Sequence, residues 1–134
     1  MGLSIFEQVE AVKTKSYGKT RRIKPPGDYL VVRVARSRAA VDDRASGMVR
    51  ENPAQLCDEC RGAGIIKRWK RIVIEEDTWG GEDLFHPRGL PGAILTSERY
   101  REFHLANRIN NGLLIEASQY AHDFYPWEVK GSSD

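Results

Sequence analysis

The stretch Trp79–Ile109, WGGEDLFHPRGLPGAILTSERYREFHLANRI, holds two sharp turns, a short apolar segment and the clearest helical pattern of the chain. Trp79-Gly80-Gly81 supplies a turn that tolerates positive φ. Asp83-Leu84-Phe85 then reads as a short segment entering a core, and Pro87, Gly89, Pro91 and Gly92 bracket a second turn. Ala93-Ile94-Leu95 is a brief strand. Thr96 or Ser97 is placed to cap the helix that follows, with Glu98 in the first turn favourable to the helix dipole. Along that helix Tyr100, Phe103, Ala106 and Ile109 recur at three-residue steps and predict a core-facing stripe. Arg101, His104 and Arg108 share the opposite arc, which places His104 at the surface. Asn110-Asn111-Gly112 supplies a stop.

Strands are expected on both sides of this stretch. Tyr29–Ala35 (YLVVRVA) carries the strongest strand signal, with Leu30, Val32 and Val34 on one apolar face. Residues 4–13 fit a loose helix or, by their β-branched content, an edge strand. Arg71–Glu75 predicts a second good strand and Leu113–Ala117 (LLIEA) a last one. Residues 13–24 read as a basic exposed loop, ended by Pro25-Pro26-Gly27. Residues 37–56, weakly patterned, predict a mobile loop or a short helix. Tyr120, Phe124, Tyr125, Pro126 and Trp127 form an aromatic tail suited to covering a core edge, and the terminal GSSD reads as frayed. Together these elements predict an α+β fold: one small mixed or antiparallel sheet with one main helix, about residues 97–109, packed on it.

The 134 residues fit a single domain over 1–134. With 40% apolar and 30% charged residues, the chain has the composition of a folded, soluble protein. No apolar run approaches the roughly 20 residues that cross a bilayer, so no membrane association is expected. The opening MGLSIFEQVEAV has neither a basic leader nor a cleavage site, which makes the cytoplasm the expected location. The net charge of +2 hides a polarity. Residues 1–71 carry sixteen lysines and arginines against eight acids, a balance of +8, whereas the remainder carries −6. Such a split can steer an acidic partner to one face, or the two halves can neutralise each other on folding.

Two clusters have chemical potential. Cys57-Asp58-Glu59-Cys60, followed by Arg61-Gly62-Ala63-Gly64, can turn two thiolates toward one metal ion. A structural zinc needs about four ligands; the chain has two cysteines, and His86, His104 and His122 are the remaining candidates. A redox pair, a disulfide or an inert turn are the alternatives. In the second cluster Lys67, Arg68, Trp69, Lys70 and Arg71 combine one aromatic ring with four cations. The ring either packs beneath the aliphatic stems or stacks on a single-stranded nucleic acid. No serine, cysteine or histidine sits in a recognisable catalytic motif, and neither glycine-rich turn is a phosphate loop. A non-enzymatic role is therefore expected.

The run from Cys57-x-x-Cys60 through Ile72-Val73-Ile74 and Trp79-x-Gly81-x-Asp83-Leu84-Phe85 to Ser97-Glu98-Arg99-Tyr100 resembles the myxobacterial double-CxxCG-motif proteins and related immunity proteins of polymorphic toxin systems. The resemblance covers about residues 57–120. It implies an immunity-type protein that occupies a cognate toxin and blocks it. The family pattern has two cysteine pairs, whereas this chain keeps only Cys57 and Cys60, and its motif glycine arrives late, at Gly62. Zinc at Cys57 and Cys60 is thus an implied but incomplete site. The expected partner contacts are the basic loops 13–24 and 61–71, including Lys67, Arg68, Trp69, Lys70 and Arg71, on one face. The acids Glu75, Glu76, Asp77, Glu82 and Asp83 form the other. The alternatives are a nucleic-acid-binding protein using the basic half and a regulatory or scaffold protein on the same fold.

Overall fold

Tyr29–Ala40 forms β2, five residues longer than its apolar signal, and the main sheet is built on it. The computed structural model describes residues 6–12, 29–110 and 112–129. The basic stretch 13–24, the Pro25-Pro26-Gly27 turn and the terminal GSSD lie outside the described residues. Strand β1, Phe6–Val12, pairs antiparallel with the first half of β2 and is the edge strand expected there. From Ala35 onward β2 pairs in parallel with β5, Leu84–Arg88, and β5 pairs antiparallel with the two-residue β6, Leu95–Thr96. The order is β1-β2-β5-β6, a mixed sheet.

A parallel pair needs a long crossover, and residues 41–83 supply it. They contain a one-turn helix α1, Asp43–Ser46, then β3, Val49–Arg50, and β4, Ile66–Trp69. Strands β3 and β4 join β7, His122–Asp123, in a second, antiparallel sheet of order β3-β4-β7. Helix α2, Glu98–Ala106, follows β6, and the single turn α3, Pro126–Val129, ends the described chain. The fold is α+β with one main helix, as expected, but it has two sheets.

Pro87 shapes the centre of the main sheet. It has no N–H to give to a ladder, and the register with β2 slips around it, from Arg36↔His86 to Ala40↔Arg88. Ser37 fills part of the gap: its hydroxyl oxygen accepts the Ala39 N–H (2.9 Å) and its hydroxyl donates to Glu82 (3.1 Å). Just beyond, Ala39 and Ala40 are fully buried. Of the two readings of residues 37–56, the short helix is the one that forms, at Asp43–Ser46. Small side chains at Ser37, Ala39 and Ala40 let the end of β2 run buried, whereas Arg44, Ala45 and residues 51–55 stay exposed.

The apolar core comprises Val41, Trp69, Ile72 and Leu90, with Met48, Ile66, Ile74, Ala93 and Leu95 packed around them. Arg50 lies buried beside it. Its guanidinium donates to both Asp43 carboxylate oxygens (2.7 and 2.8 Å) and to the Gly89 carbonyl (2.7 Å), joining α1 and β3 to the turn after β5. Gly89 has φ +89°, and a Cβ there would stand 3.1 Å from Arg50 Nη2 and 3.2 Å from Arg61 Cβ. Only glycine meets both demands.

Three elements differ from expectation. The strand anticipated at Arg71–Glu75 lies earlier, because the N–H groups of Lys70 and Arg71 both turn to the Ser46 carbonyl. Residues 72–75 instead cross toward β2 through a single bridge, Val41↔Ile74. Leu113–Ala117 forms no strand and leads into a 3-10 turn at Ala117–Gln119. On α2 the stripe is rotated: Phe103 and Ala106 are exposed, and His104 is buried. The chain folding back at Gly112 lies against His104, since a Cβ on Gly112 would lie 3.6 Å from the His104 ring, while Arg101 and Arg108 on the same arc stay exposed. The helix start matches its signal. Ser97 accepts the Tyr100 N–H (3.1 Å) and donates to buried Asp83 (2.6 Å). The helix ends at Ala106, ahead of the expected Ile109, because Arg108 adopts φ +51° and the Ile109 N–H closes back on the His104 carbonyl.

Replacing Arg50 with Ala strands the partly buried Asp43 carboxylate and leaves the Gly89 carbonyl without its donor. The expected loss is about 3 kcal/mol of unfolding free energy, measured by urea denaturation.

Candidate functional site

The basic cluster of β4 is largely consumed internally. Trp69 is only 7% exposed, ringed by Tyr120, His122 and Phe124 with centroids 5.6–5.9 Å away. Its assignment as a partner contact is therefore corrected: the ring has no free face for a base or a partner to stack on. The aromatic tail covers a core edge as expected, because β7 hydrogen-bonds to β4 and the Phe124 N–H reaches the Lys67 carbonyl. Lys67 pairs with Glu128 (3.1 Å), and Arg68 pairs with Asp123 (3.3 Å) and Glu128 (3.1 Å). These two cations, Lys67 first, hold the Glu128 carboxyl below the usual carboxylate range. Lys70 and Arg71 remain at the surface.

The acidic cluster divides in the same way. Glu75 pairs with Arg61 (2.6 Å), and Glu82 accepts from Ser37. Asp83 is buried, bonded to Ser97 and 3.3 Å from Arg99. It is corrected from a surface contact to an anchor for the start of α2. Glu76 and Asp77 are exposed. Of the ten residues named as contacts, all of them described, Lys70, Arg71, Glu76 and Asp77 are exposed; the basic loop 13–24 expected on the same face lies outside the described residues.

A cleft of about 960 Å³ provides a larger feature. Its floor is core: Ile72, Ile74, Phe85 and Leu90. One wall comes from β6 and the start of α2, and the other from residues 113–120. Trp79 stands at the rim, its indole N–H donating to the Glu82 carbonyl (3.1 Å) and its ring 6.3 Å from Phe85. Large apolar side chains remain open to solvent along the walls: Leu113 is 85% exposed, Ile115 55%, Ile94 50% and Trp79 48%. Glu98 and Arg101, paired at 2.6 Å, supply charge at one end. The hydrogen bond to Glu98, then its charge, raises the Arg101 guanidinium further. Neither histidine nor cysteine lines the cleft. The sequence pattern concealed this site, because LLIEA reads as a buried strand and Trp79 as part of a turn.

The dithiol turn is the third feature. Hydrogen bonds from the Glu51 N–H to the Ile65 carbonyl, Asn52 to Ala63 and Cys57 to Gly62 extend β3 and β4 outward as a hairpin. Both cysteines are free and exposed at its tip. The Cys60 N–H points at the Cys57 sulfur (3.4 Å). Arg61 adopts φ +58°, a left-handed conformation that favours glycine. Arg61 bears that strain, and its guanidinium is tied to Glu75. The Cys60 N–H, then the Cys60 thiol, lower the Cys57 thiol below its ordinary value. The three histidines are engaged elsewhere. His86 Nδ1 lies 3.0 Å from the Ala93 carbonyl, His104 is buried, and His122 packs on Trp69 and Phe124. Among the described residues no three His, Cys, Asp or Glu side chains are grouped to hold a metal ion.

No family model, no curated protein and no solved structure matches this chain.

Two measurements check this geometry. Cys57 is expected to be alkylated faster than Cys60 at neutral pH, with a pH midpoint below that of a free cysteine, read by peptide mass spectrometry over a pH series. Trp69→Ala is expected to cost about 3–5 kcal/mol in chemical denaturation, the signature of a core residue.

Proposed function

We propose that this chain is a non-enzymatic protein-binding domain, of the kind that neutralises a bacterial polymorphic toxin, and that its cleft receives the toxin. The observation that carries this reading is the clustering of Trp79, Ile94, Leu113 and Ile115 around one open cleft. Large apolar side chains gathered on one surface mark an interaction site, whereas isolated ones need no explanation. Aromatic and aliphatic groups seated in a pocket with a charged rim are what interface hot spots are made of. The resemblance of residues 57–120 to immunity proteins supplies the partner class. A regulatory or scaffold protein would use the same cleft for another protein. The nucleic-acid alternative, which uses the basic first half, loses the Trp69 stacking platform, because Trp69 is buried and Lys67 and Arg68 are paired within the chain. Among the described residues no helix is long and apolar enough to cross a membrane. A cytoplasmic site of action belongs to this proposal.

The test is co-expression with the toxin-like product of the neighbouring gene, read as cell survival and as co-purification at defined stoichiometry. Protection with a stable complex is expected; neither protection nor complex overturns the reading. Leu113→Asp combined with Ile94→Asp should weaken the complex by roughly thirtyfold or more, about 2 kcal/mol at a hot spot. The same variant should shift the urea midpoint only slightly, because Leu113 is almost fully exposed and Ile94 is half-exposed.

A further inference from the structure

We infer that Cys57 and Cys60 are a thiol–disulfide exchange site: a low-molecular-weight disulfide oxidises the pair to an intrachain disulfide, and a thiol reductant restores it. The zinc that the resemblance implies does not fit here. The turn brings two thiols together, and among the described residues no third His, Cys, Asp or Glu side chain joins them, whereas structural zinc takes about four ligands. A disulfide needs two sulfurs and nothing more, and two sulfurs are what the turn supplies.

The backbone holds the pair within reach of that bond. The Arg61 N–H donates to the Cys57 carbonyl (2.9 Å) and the Cys57 N–H to the Gly62 carbonyl (2.9 Å), which closes residues 57–61 into one turn. The first and fourth residues of a turn stand less than about 7 Å apart at Cα, and a disulfide spans roughly 4.4–6.8 Å. The Cys60 N–H reaches the Cys57 sulfur at 3.4 Å, so that sulfur already lies over the Cys60 end of the turn. Arg88 ties the turn to β2 by donating to the Glu59 carbonyl (3.3 Å) and to the Arg38 carbonyl (2.7 and 2.9 Å). The Arg61–Glu75 pair braces the other side at 2.6 Å. These ties reduce the chain ordering that closing the bond would otherwise demand. Both cysteines are exposed, which leaves a small disulfide free to approach.

Cys57 is the attacking thiol, because the Cys60 N–H shares the charge of its thiolate. That thiolate attacks a small disulfide, RSSR. A Cys57–S–S–R bond forms, the RS–SR bond breaks, and one RS⁻ leaves with the electron pair. The Cys60 thiolate then attacks the Cys57 sulfur, closing the intrachain disulfide and releasing the second RS⁻. The two protons given up by the cysteines end on the two leaving thiolates. The dithiol is oxidised by two electrons, and RSSR is reduced to two thiols. This site lies on the hairpin tip and does not rest on the proposed use of the cleft.

The experiment incubates the full chain in metal-free buffer with mixtures of reduced and oxidised glutathione, quenches with acid, alkylates the free thiols and reads the mass. A monomer with both cysteines protected and no glutathione retained is expected. Cys60→Ser should stop at a glutathione adduct on Cys57, and Cys57→Ser should form its adduct roughly tenfold more slowly. Circular dichroism of both serine variants separates thiol loss from misfolding. On the wild-type chain, the equilibrium constant for forming the disulfide should be about tenfold higher when folded than when unfolded in urea, because the turn is held in advance. A glutathione adduct that persists on the wild-type chain, a disulfide-linked dimer, equal adduct rates in the two serine variants, or equal constants in the folded and unfolded chain would each overturn the inference.

Discussion

The buried guanidinium of Arg50 is the interaction that the rest of the structure leans on. It sits on β3, in the smaller sheet, and its donors end on α1 and on the turn that closes the larger one. A buried cation is tolerated only when its charge and its hydrogen bonds are answered. Here Asp43 answers the charge and the Gly89 carbonyl takes a further donor. Because Gly89 must admit both Arg50 and Arg61 at close range, this one position couples the turn after β5 to the base of the dithiol hairpin. The same arginine therefore sets where the hairpin projects and where the chain turns toward β6.

From that junction the two exposed features diverge. The hairpin carries Cys57 and Cys60 away from the core on a ladder of backbone hydrogen bonds. On the other side, the turn from Gly89 to Gly92 leads through Ile94 into β6, which forms one wall of the cleft. Residues 113–120 form the opposite wall, held to the floor by the Ile72 N–H bonded to the Ala117 carbonyl (2.8 Å). The aromatic tail then closes over Trp69. That aromatic cluster is used mainly for stability, whereas Trp79, Ile94, Leu113 and Ile115 are apolar groups left exposed along the cleft.

The charged groups show why composition is a poor guide to an interface. The +8 and −6 halves suggested two opposed faces, yet much of that charge is spent across short distances within the described residues. Lys67 and Arg68 meet Glu128 and Asp123; Arg61 meets Glu75; Arg99 meets Asp83. Most of these pairs are partly exposed and individually contribute little to stability. Their larger effect is geometric, since they position the tail, the hairpin and the start of α2.

By itself the sequence determined the features that depend on local chemistry. The Ser97 cap follows from its hydroxyl and the helix-forming run behind it. The strand core at Tyr29–Ala35 follows from alternating β-branched residues, and the turns around Gly89 and Gly92 follow from glycine's access to positive φ. The dithiol turn was visible in its spacing for the same reason. Only the tertiary structure decided what each side chain faces. His104 and Phe103 exchanged their expected roles because the chain folding back at Gly112 lies against His104. Trp69 became core because β7 returns beside β4 from more than fifty residues away. Leu113 and Ile115 were left at the surface because the main sheet ends at β6 and Leu113–Ala117 does not pair as a strand. Periodicity records that a residue is apolar and which neighbours share its face; whether that face meets the core or solvent depends on segments far away in the chain.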